Sequence, residues 1–177
     1  MKHKRLRAVA VAVTVGAVGV GSALATPGSG IVAAPILARG TLEADQGHQA
    51  HHGRHKPRPD EPVKIELHKP SDVIVQQVTI APGGSTGWHS HPGPAVVIVK
   101  SGSFTLYDED DPTCTGTTYS VDPANPVGKV FIDEGYGHVH VGRNEGSTNT
   151  ELYVTYLDVP VGAAPRIDVP DPGHCPV

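Results

Sequence analysis

The stretch Pro82-Gly-Gly-Ser-Thr-Gly-Trp-His-Ser-His-Pro-Gly-Pro-Ala-Val-Val-Ile-Val-Lys-Ser-Gly102 decides the fold of this 177-residue chain. Its second half is a β-branched run between a Pro-Gly-Pro and a Ser-Gly sequence, and a run bounded by such turn residues is typical of a strand. Its first half places His89 and His91 two positions apart. In extended backbone, residues i and i+2 project from the same face, so both imidazoles point the same way.

Similar segments continue on both sides of this stretch. Each is short and rich in Val, Ile, Thr, Tyr or Phe, and Gly-, Pro- and Asn-containing turns separate them. The predicted strands span residues 63–67, 72–80, 95–100, 103–107, 116–121, 129–132, 138–143 and 151–158, and 33–43 contains a first strand. Because no segment has the pattern of an amphipathic helix, the sequence predicts an all-β sandwich or barrel with no second domain.

A second histidine pair, His138 and His140, has the same i, i+2 spacing. Two such pairs brought together inside a barrel would direct up to four imidazoles at one point. Neutral imidazole nitrogens suit Zn, Fe, Cu or Ni better than Ca or Mg. One His-x-His pair is common in ordinary strands, so the hypothesis of a metal site depends on both pairs together.

Both pairs lie in sequences that resemble the two conserved motifs of the cupin superfamily. Gly83, His89, His91 and Gly102 match the first motif, G-x5-H-x-H-x3-4-E-x6-G, in spacing. In the second motif, P-x-G-x2-H-x3-N, the matching residues are Gly137, His140 and Asn144, and Gly135 stands where the family has proline. The resemblance implies a jelly-roll β-barrel, the double-stranded β-helix, over roughly residues 63–160.

One departure from the first motif concerns the metal ligands. Three and four residues beyond His91 stand Ala95 and Val96, so the glutamate that cupins commonly use as a ligand is missing. The resemblance then implies a site of His89, His91 and His140 without a carboxylate. Such a set is similar to that of the thiol dioxygenase and diketone dioxygenase branches of the family. The implied cofactor is one divalent transition metal ion: Fe, Zn, Mn, Cu or Ni.

Several residues near the motifs have roles that the sequence leaves open. His138 is a fourth candidate ligand, a hydrogen-bond partner of the ligands, or a residue exposed at the barrel mouth. Asp133 and Glu134 are interpreted as solvated turn residues, with an acid, base or water-borne ligand role as the alternative. Trp88 and Tyr136 either line the mouth or cover the barrel edge.

Two classes of function fit a three-histidine barrel. The first is metal-assisted chemistry on a small molecule, of the dioxygenase or isomerase type. The second is a non-catalytic exported binding module that stores, senses or delivers a metal or small ligand. A barrel that has lost its metal is a third alternative, because fold does not imply function. The sequence leaves enzymatic activity, the substrate and a homodimer undecided.

The N-terminus has the order of a secretory signal. Residues Met1-Lys-His-Lys-Arg-Leu-Arg7 put four positive charges ahead of an uncharged apolar run, and Ala23 and Ala25 are the small residues that a signal peptidase needs. We predict a signal peptide at 1–25 and a secreted or cell-envelope location, with no membrane insertion after cleavage. An uncleaved anchor is the alternative, since about 18 apolar residues are the minimum for a span.

Charge gives no indication of a nucleic-acid partner. Cleavage would remove four of the 14 cations and none of the 18 anions, which leaves 10 against 18 and changes the net charge from −4 to −8. Nucleic-acid binding needs a basic surface, so the sequence predicts a small-molecule partner and no nucleic acid.

Residues 26–62 precede the predicted barrel at 63–177. Their beginning, 26–32, is interpreted as a flexible leader. Residues 44–62 contain four histidines, from His48 to His55, among glycines and prolines, with almost nothing to bury. A solvated polar loop is the interpretation, and a metal-collecting tract is the alternative.

The two cysteines, Cys114 and Cys175, are 61 positions apart. In an oxidising compartment they predict a single disulfide that tethers the C-terminal tail to a loop. Two free thiols are the alternative. A two-cysteine zinc or redox site is disfavoured because there is no C-x-x-C spacing.

Overall fold

The computed structural model describes residues 25–43 and 69–175. The predicted signal peptide, except its last residue, lies outside these residues, as do the histidines from His48 to His55 and the predicted strand at 63–67. No helix in the described ranges is long and apolar enough to cross a membrane.

The described residues form eleven strands and no α-helix. In chain order the strands are β1 (Ser29–Ala33), β2 (Ile36–Leu42), β3 (Ser71–Ser85), β4 (His89–Ser90), β5 (Ala95–Ser101), β6 (Ser103–Asp108), β7 (Thr117–Ser120), β8 (Lys129–Asp133), β9 (His140–Arg143), β10 (Thr150–Pro160) and β11 (Ile167–Asp168). The all-β class predicted from the turn-punctuated segments is confirmed.

The strands make two antiparallel layers that close into a barrel. One layer has the order β3-β10-β5-β8, the other has the order β7-β6-β9-β4-β11, and the end of β3 joins them where Ser85 pairs with Arg143 of β9. Successive strands mostly alternate between the layers, which is the double-sheet arrangement of a jelly roll. The predicted double-stranded β-helix is therefore confirmed by the strand order.

Side-chain alternation along β5 and β10 builds the core of the barrel. Ala95, Val97 and Val99 of β5 are buried, whereas Ile98 and Lys100 between and after them are exposed. On β10 the residues Leu152, Val154 and Tyr156 are buried in the same cluster. Because the side-chain period of a strand is two, one face of each strand is apolar and faces the barrel interior.

In strand β8, the side chains that face the barrel interior are not the ones that the sequence suggests. Its β-branched residues Val130 and Ile132 are 58% and 68% exposed, and Phe131 and Asp133 point inward instead. The register with β5 fixes this choice, because Val97 pairs with Phe131 and Ala95 with Asp133. Residues directly opposite on antiparallel strands share a face, so the partners of buried residues are turned inward.

The N-terminal residues add two strands to the edge of β3. β1 falls largely within the stretch interpreted as a flexible leader, which corrects that interpretation, because it pairs with the second half of β3. β2 pairs with the first half and is anchored by Asp72, whose carboxylate accepts hydrogen bonds from Thr41 Oγ1, Gly162 N and Arg39 Nε. These three donors lower the pKa of Asp72 to about 2.

A second apolar cluster lies outside the barrel wall, around Trp88. This side chain is 1% exposed and packs with Val141 and Cys175. Cys175 forms the predicted disulfide with Cys114, with the Cα atoms 5.4 Å apart. Trp88 therefore covers the barrel wall under the C-terminal tail and does not line the mouth.

Candidate metal centre

Three histidines of the two motifs converge inside the barrel. His89 and His140 lie opposite each other on β4 and β9, and His91 follows β4 directly. Their ring centroids are 4.4 to 5.2 Å apart, and one nitrogen of each lies within 4.8 Å of the others. All three are buried, so the structure brings together the three residues that the motifs predicted as ligands.

Backbone carbonyls fix the orientation of two of these rings. The Nδ1 atom of His89 lies 2.8 Å from the Gly87 oxygen, and Nδ1 of His91 lies 2.7 Å from the Pro165 oxygen. Because a carbonyl can only accept, each Nδ1 carries the proton and donates it. The Nε2 atoms are left with free lone pairs, which is the tautomer that a metal-binding histidine needs.

Burial also keeps these imidazoles neutral. It lowers the pKa of His89 well below its usual value, and the neighbouring His140 lowers it further. Burial lowers the pKa of His91 as well and brings that of His140 to about 4. Near neutral pH the cluster therefore presents unprotonated nitrogens, the form in which imidazole coordinates a metal.

Asp133 lies beside these histidines, which corrects its interpretation as a solvated turn residue. It is 5% exposed, and its Oδ2 atom lies 3.4 Å from Nε2 of both His91 and His140. Its Oδ1 atom accepts a hydrogen bond of 2.9 Å from Gly135 N. The sequence did not indicate an inward-facing Asp133, because Val130 and Ile132 have the pattern of the buried face of β8. That pattern would place Asp133 on the outer face. Glu134, in contrast, is exposed as expected.

His138 occupies a position outside the triad. It is half-buried, with Nδ1 3.6 Å from Asp133 Oδ1 and Nε2 3.8 Å from Asp108 Oδ1. Burial raises the pKa of Asp108, and the charge of His138 opposes that rise. His138 thus lies between two carboxylates, and it can share a metal with Asp133 and His140 but is not grouped with His89 and His91. Tyr136 is exposed on the turn before it.

A cavity of about 230 Å³ opens next to the triad. Its wall is apolar over much of its area, with Val97, Phe104 and Leu152 among the lining residues. Polar atoms come from Gln76, Tyr156 and Arg166, which motif reasoning did not find. These three belong to strands or loops without a motif of their own, so only the closed barrel shows that they face the histidines.

The donor set fits a divalent transition metal ion. Three neutral nitrogens form one group of possible ligands, and the Asp133 carboxylate forms a second group with His138 and His140. The Oδ2 atom of Asp133 has no hydrogen-bond partner among the described residues. A buried carboxylate oxygen without a partner is costly, and an adjacent cation lowers that cost. Imidazole and carboxylate donors together are typical of Zn, Fe, Mn and similar ions.

The second motif departs from the family pattern for a structural reason. Gly135 has a φ of 69°, and a Cβ there would meet the Gly93 oxygen at 2.0 Å. Proline fixes φ near −65°, so it cannot adopt this conformation. The glycine allows the turn after β8 to pass close to Gly93 and to donate its N–H to Asp133.

The fold and the site together define the class of protein: a double-stranded β-helix barrel with a buried cluster of three histidines at one end of its cavity. This is the architecture that the cupin motifs predicted. No protein-family model and no curated protein matches the chain.

Solved structures that resemble it include a cupin domain from Bordetella pertussis, at 24% identity over 47% of this chain and 78% of that one, with a TM-score of 0.36. A double-stranded β-helix protein from Klebsiella pneumoniae is similar at 20% identity over 56% and 76% of the two chains, with a TM-score of 0.41. Peruvianin-I, a cysteine peptidase from Thevetia peruviana latex, is similar at 21% identity and a TM-score of 0.42. The match covers 55% of this chain and only 56% of Peruvianin-I.

Proposed function

We propose that the protein binds one divalent transition metal ion through His89, His91 and His140 and acts on a small molecule in the adjacent cavity. The observation that carries this proposal is the convergence of three neutral, buried imidazoles on a wall of that cavity. A metal in such a site supplies Lewis-acid polarisation of a substrate oxygen or, as Fe(II), oxygen activation.

The cavity limits the size and character of the substrate. Its volume of about 230 Å³ is below the roughly 300 to 1,000 Å³ of pockets for drug-sized ligands, so the substrate is small. Apolar side chains such as Val97 and Phe104 would contact its hydrocarbon part, and exclude water from the histidines. A storage or delivery site for a metal alone would not need an adjacent cavity with an apolar wall.

Polar groups on the cavity wall would orient the substrate. The Tyr156 hydroxyl donates to Gln76 Oε1 at 3.0 Å, and burial raises its pKa to about 12, so it stays protonated. The Arg166 side chain donates to the Thr86 carbonyl at 2.6 Å and lowers the pKa of His89 and His91 by its charge. The Asp168 carboxylate pairs with the same guanidinium, so Arg166 is held in place and would offer a substrate oxygen near the triad a partly neutralised positive group.

The metal content of the purified protein tests the site. We expect about one transition metal ion per chain in the wild type, and loss of that metal in a His89→Ala/His140→Ala variant. A His174→Ala variant, which removes an exposed histidine, is the matched control and should keep its metal. Metal-free wild-type protein after incubation with each of the five candidate ions would contradict the proposal.

Turnover separates an enzyme from a binding module. Oxygen uptake by the Fe(II)-loaded protein would be measured against a panel of small thiols and diketones, with the metal-free variant as the blank. A thiol nucleophile of the protein is not available for other chemistry, because both cysteines form the disulfide. Stoichiometric metal with no reaction across this panel would favour the binding module.

We also propose that the protein is exported by cleavage after Ala25. The disulfide supports this location, since disulfides form and persist in oxidising compartments. N-terminal sequencing of protein recovered from outside the cytoplasm should begin at Thr26. A retained N-terminus in a membrane fraction would support the anchor instead.

A further inference from the structure

We propose that the Asp133 carboxylate is a fourth metal ligand, which β8 supplies in place of the glutamate that the first motif lacks. This inference rests on the proposed metal site and identifies one more of its donors. It changes the expected ligand set from three histidines to three histidines and one carboxylate.

The Asp133 carboxylate lies at a ligand-like distance from two of the three histidines, and it also belongs to a second group of possible ligands with His138 and His140. Donors bonded to the same ion at about 2.1 Å stand about 3.0 to 3.4 Å apart in octahedral or tetrahedral geometry. Asp133 Oδ2 lies 3.4 Å from Nε2 of His91 and 3.4 Å from Nε2 of His140. Both separations exceed the 2.7 to 3.2 Å of an ordinary hydrogen bond, so neither contact satisfies the carboxylate oxygen by itself.

The environment of Asp133 gives an independent reason for a cation. The side chain is 3% exposed, and its Oδ2 atom has no hydrogen-bond donor among the described residues. The Nδ1 proton of His91 is already donated to the Pro165 carbonyl. With a neutral ring, Nε2 then offers a lone pair to the carboxylate and not a proton. Two acceptors that face each other at 3.4 Å in a buried place are stabilised by a proton or a metal cation between them.

Strand register explains how β8 can replace the missing ligand. The motif glutamate would stand at Ala95 or Val96 of β5, and Ala95 pairs directly with Asp133 in the β5–β8 ladder. Opposite residues on one face have Cβ atoms about 4.5 to 5.5 Å apart, so a carboxylate on β8 can reach the region that a carboxylate on β5 would occupy. The small, buried Ala95 leaves that space open.

The test compares Asp133→Asn with a matched control, Glu134→Gln, which removes one carboxylate charge from the exposed neighbouring position. The amide oxygen of the Asp133→Asn variant could still accept the hydrogen bond from Gly135 N. Co²⁺ titration would be followed by visible absorption, and Zn²⁺ affinity by competition with a chelator. We expect Asp133→Asn to weaken Zn²⁺ binding by at least about 100-fold, because even partners outside the ligand set contribute 10- to 100-fold. The Co²⁺ absorption bands should shift in position and intensity.

Thermal unfolding provides a second readout. Without metal, Asp133→Asn should unfold at a higher temperature than the wild type, because the substitution removes a buried charge whose Oδ2 atom has no hydrogen-bond donor among the described residues. With metal, the order should reverse. Glu134→Gln should follow the wild type in both states.

Two further results would be decisive. Wild-type Co²⁺ bands and affinity in Asp133→Asn would overturn the role of Asp133 while leaving the three-histidine site intact, whereas failure of the wild type to bind metal would remove the proposed function itself. A His138→Ala variant tests whether Asp133 acts instead through its 3.6 Å contact with that histidine. It should bind Zn²⁺ within a few-fold of the wild type, and an equal loss in both variants would contradict direct ligation.

Discussion

Removal of the disulfide by Cys114→Ala/Cys175→Ala is expected to lower the free energy of unfolding by about 4 kcal/mol. The cross-link joins residues 61 positions apart, and the chain-entropy model gives about this value for a loop of that length. Cys175 also packs against Trp88 and Val141, so the alanine variant loses buried apolar contact as well. Urea unfolding of the variant and the wild type under oxidising conditions measures the difference.

Removal of the disulfide should also weaken metal binding, because the C-terminal segment contacts the metal centre. β11 pairs with β4, so Asp168 lies opposite His89, and the preceding Pro165 carbonyl holds the ring of His91. A loosened tail would release this carbonyl, and we expect metal affinity to fall by about 10-fold, the lower end of the range for partners that orient a ligand. Addition of a reductant should reproduce both effects in the wild type and have none in the variant. Equal stability of the two proteins would contradict the structural role of the disulfide.

Replacement of Asn144 by alanine is expected to cost about 3 kcal/mol of folding free energy. Its side chain is fully buried, donates to the carbonyl oxygens of Ile80 and Thr148, and accepts from Gly146 N. The alanine leaves these three groups without their partner, and each unsatisfied buried group costs about 1 kcal/mol or more. The asparagine of the second motif is therefore a structural residue, which ties the end of β9 to β3.

Two variants sharpen this prediction. Asn144→Asp keeps the acceptor for Gly146 N but loses both donors and buries a charge, so it should be at least as destabilising as alanine. Asn149→Ala, at an exposed position of the same loop, should leave the free energy of unfolding within about 0.5 kcal/mol of the wild type. A stable Asn144→Asp variant would show that the two donated hydrogen bonds contribute little.

The features that depend on local sequence could be predicted well. Turn residues between β-branched runs mark most of the strands, and the i, i+2 spacing correctly predicts that His89 and His91 lie together. The disulfide followed from the number of cysteines and the expected compartment. These predictions need only the period of a strand and the chemistry of each residue type.

The features that depend on pairing between distant strands could not be predicted. Asp133 faces the histidines because β8 pairs with β5 in one particular register, and its own sequence suggests the opposite parity. Arg166 and Tyr156 line the cavity only because the barrel closes. His138, which shares a strand-like spacing with His140, lies outside the triad because the turn at Gly135 ends the extended backbone before it.

The pairing of Ala95 with Asp133 has a consequence for how such barrels can be redesigned. Side chains from either of two adjacent strands can reach the same point inside the barrel. The site therefore constrains where the functional group lies, and not which strand carries it. An exchange of side chains across the ladder, Ala95→Glu with Asp133→Ala, would move the carboxylate to the other strand and preserve the net charge of the site. Any search that requires the group at one fixed position along the chain would overlook proteins that place it on the neighbouring strand.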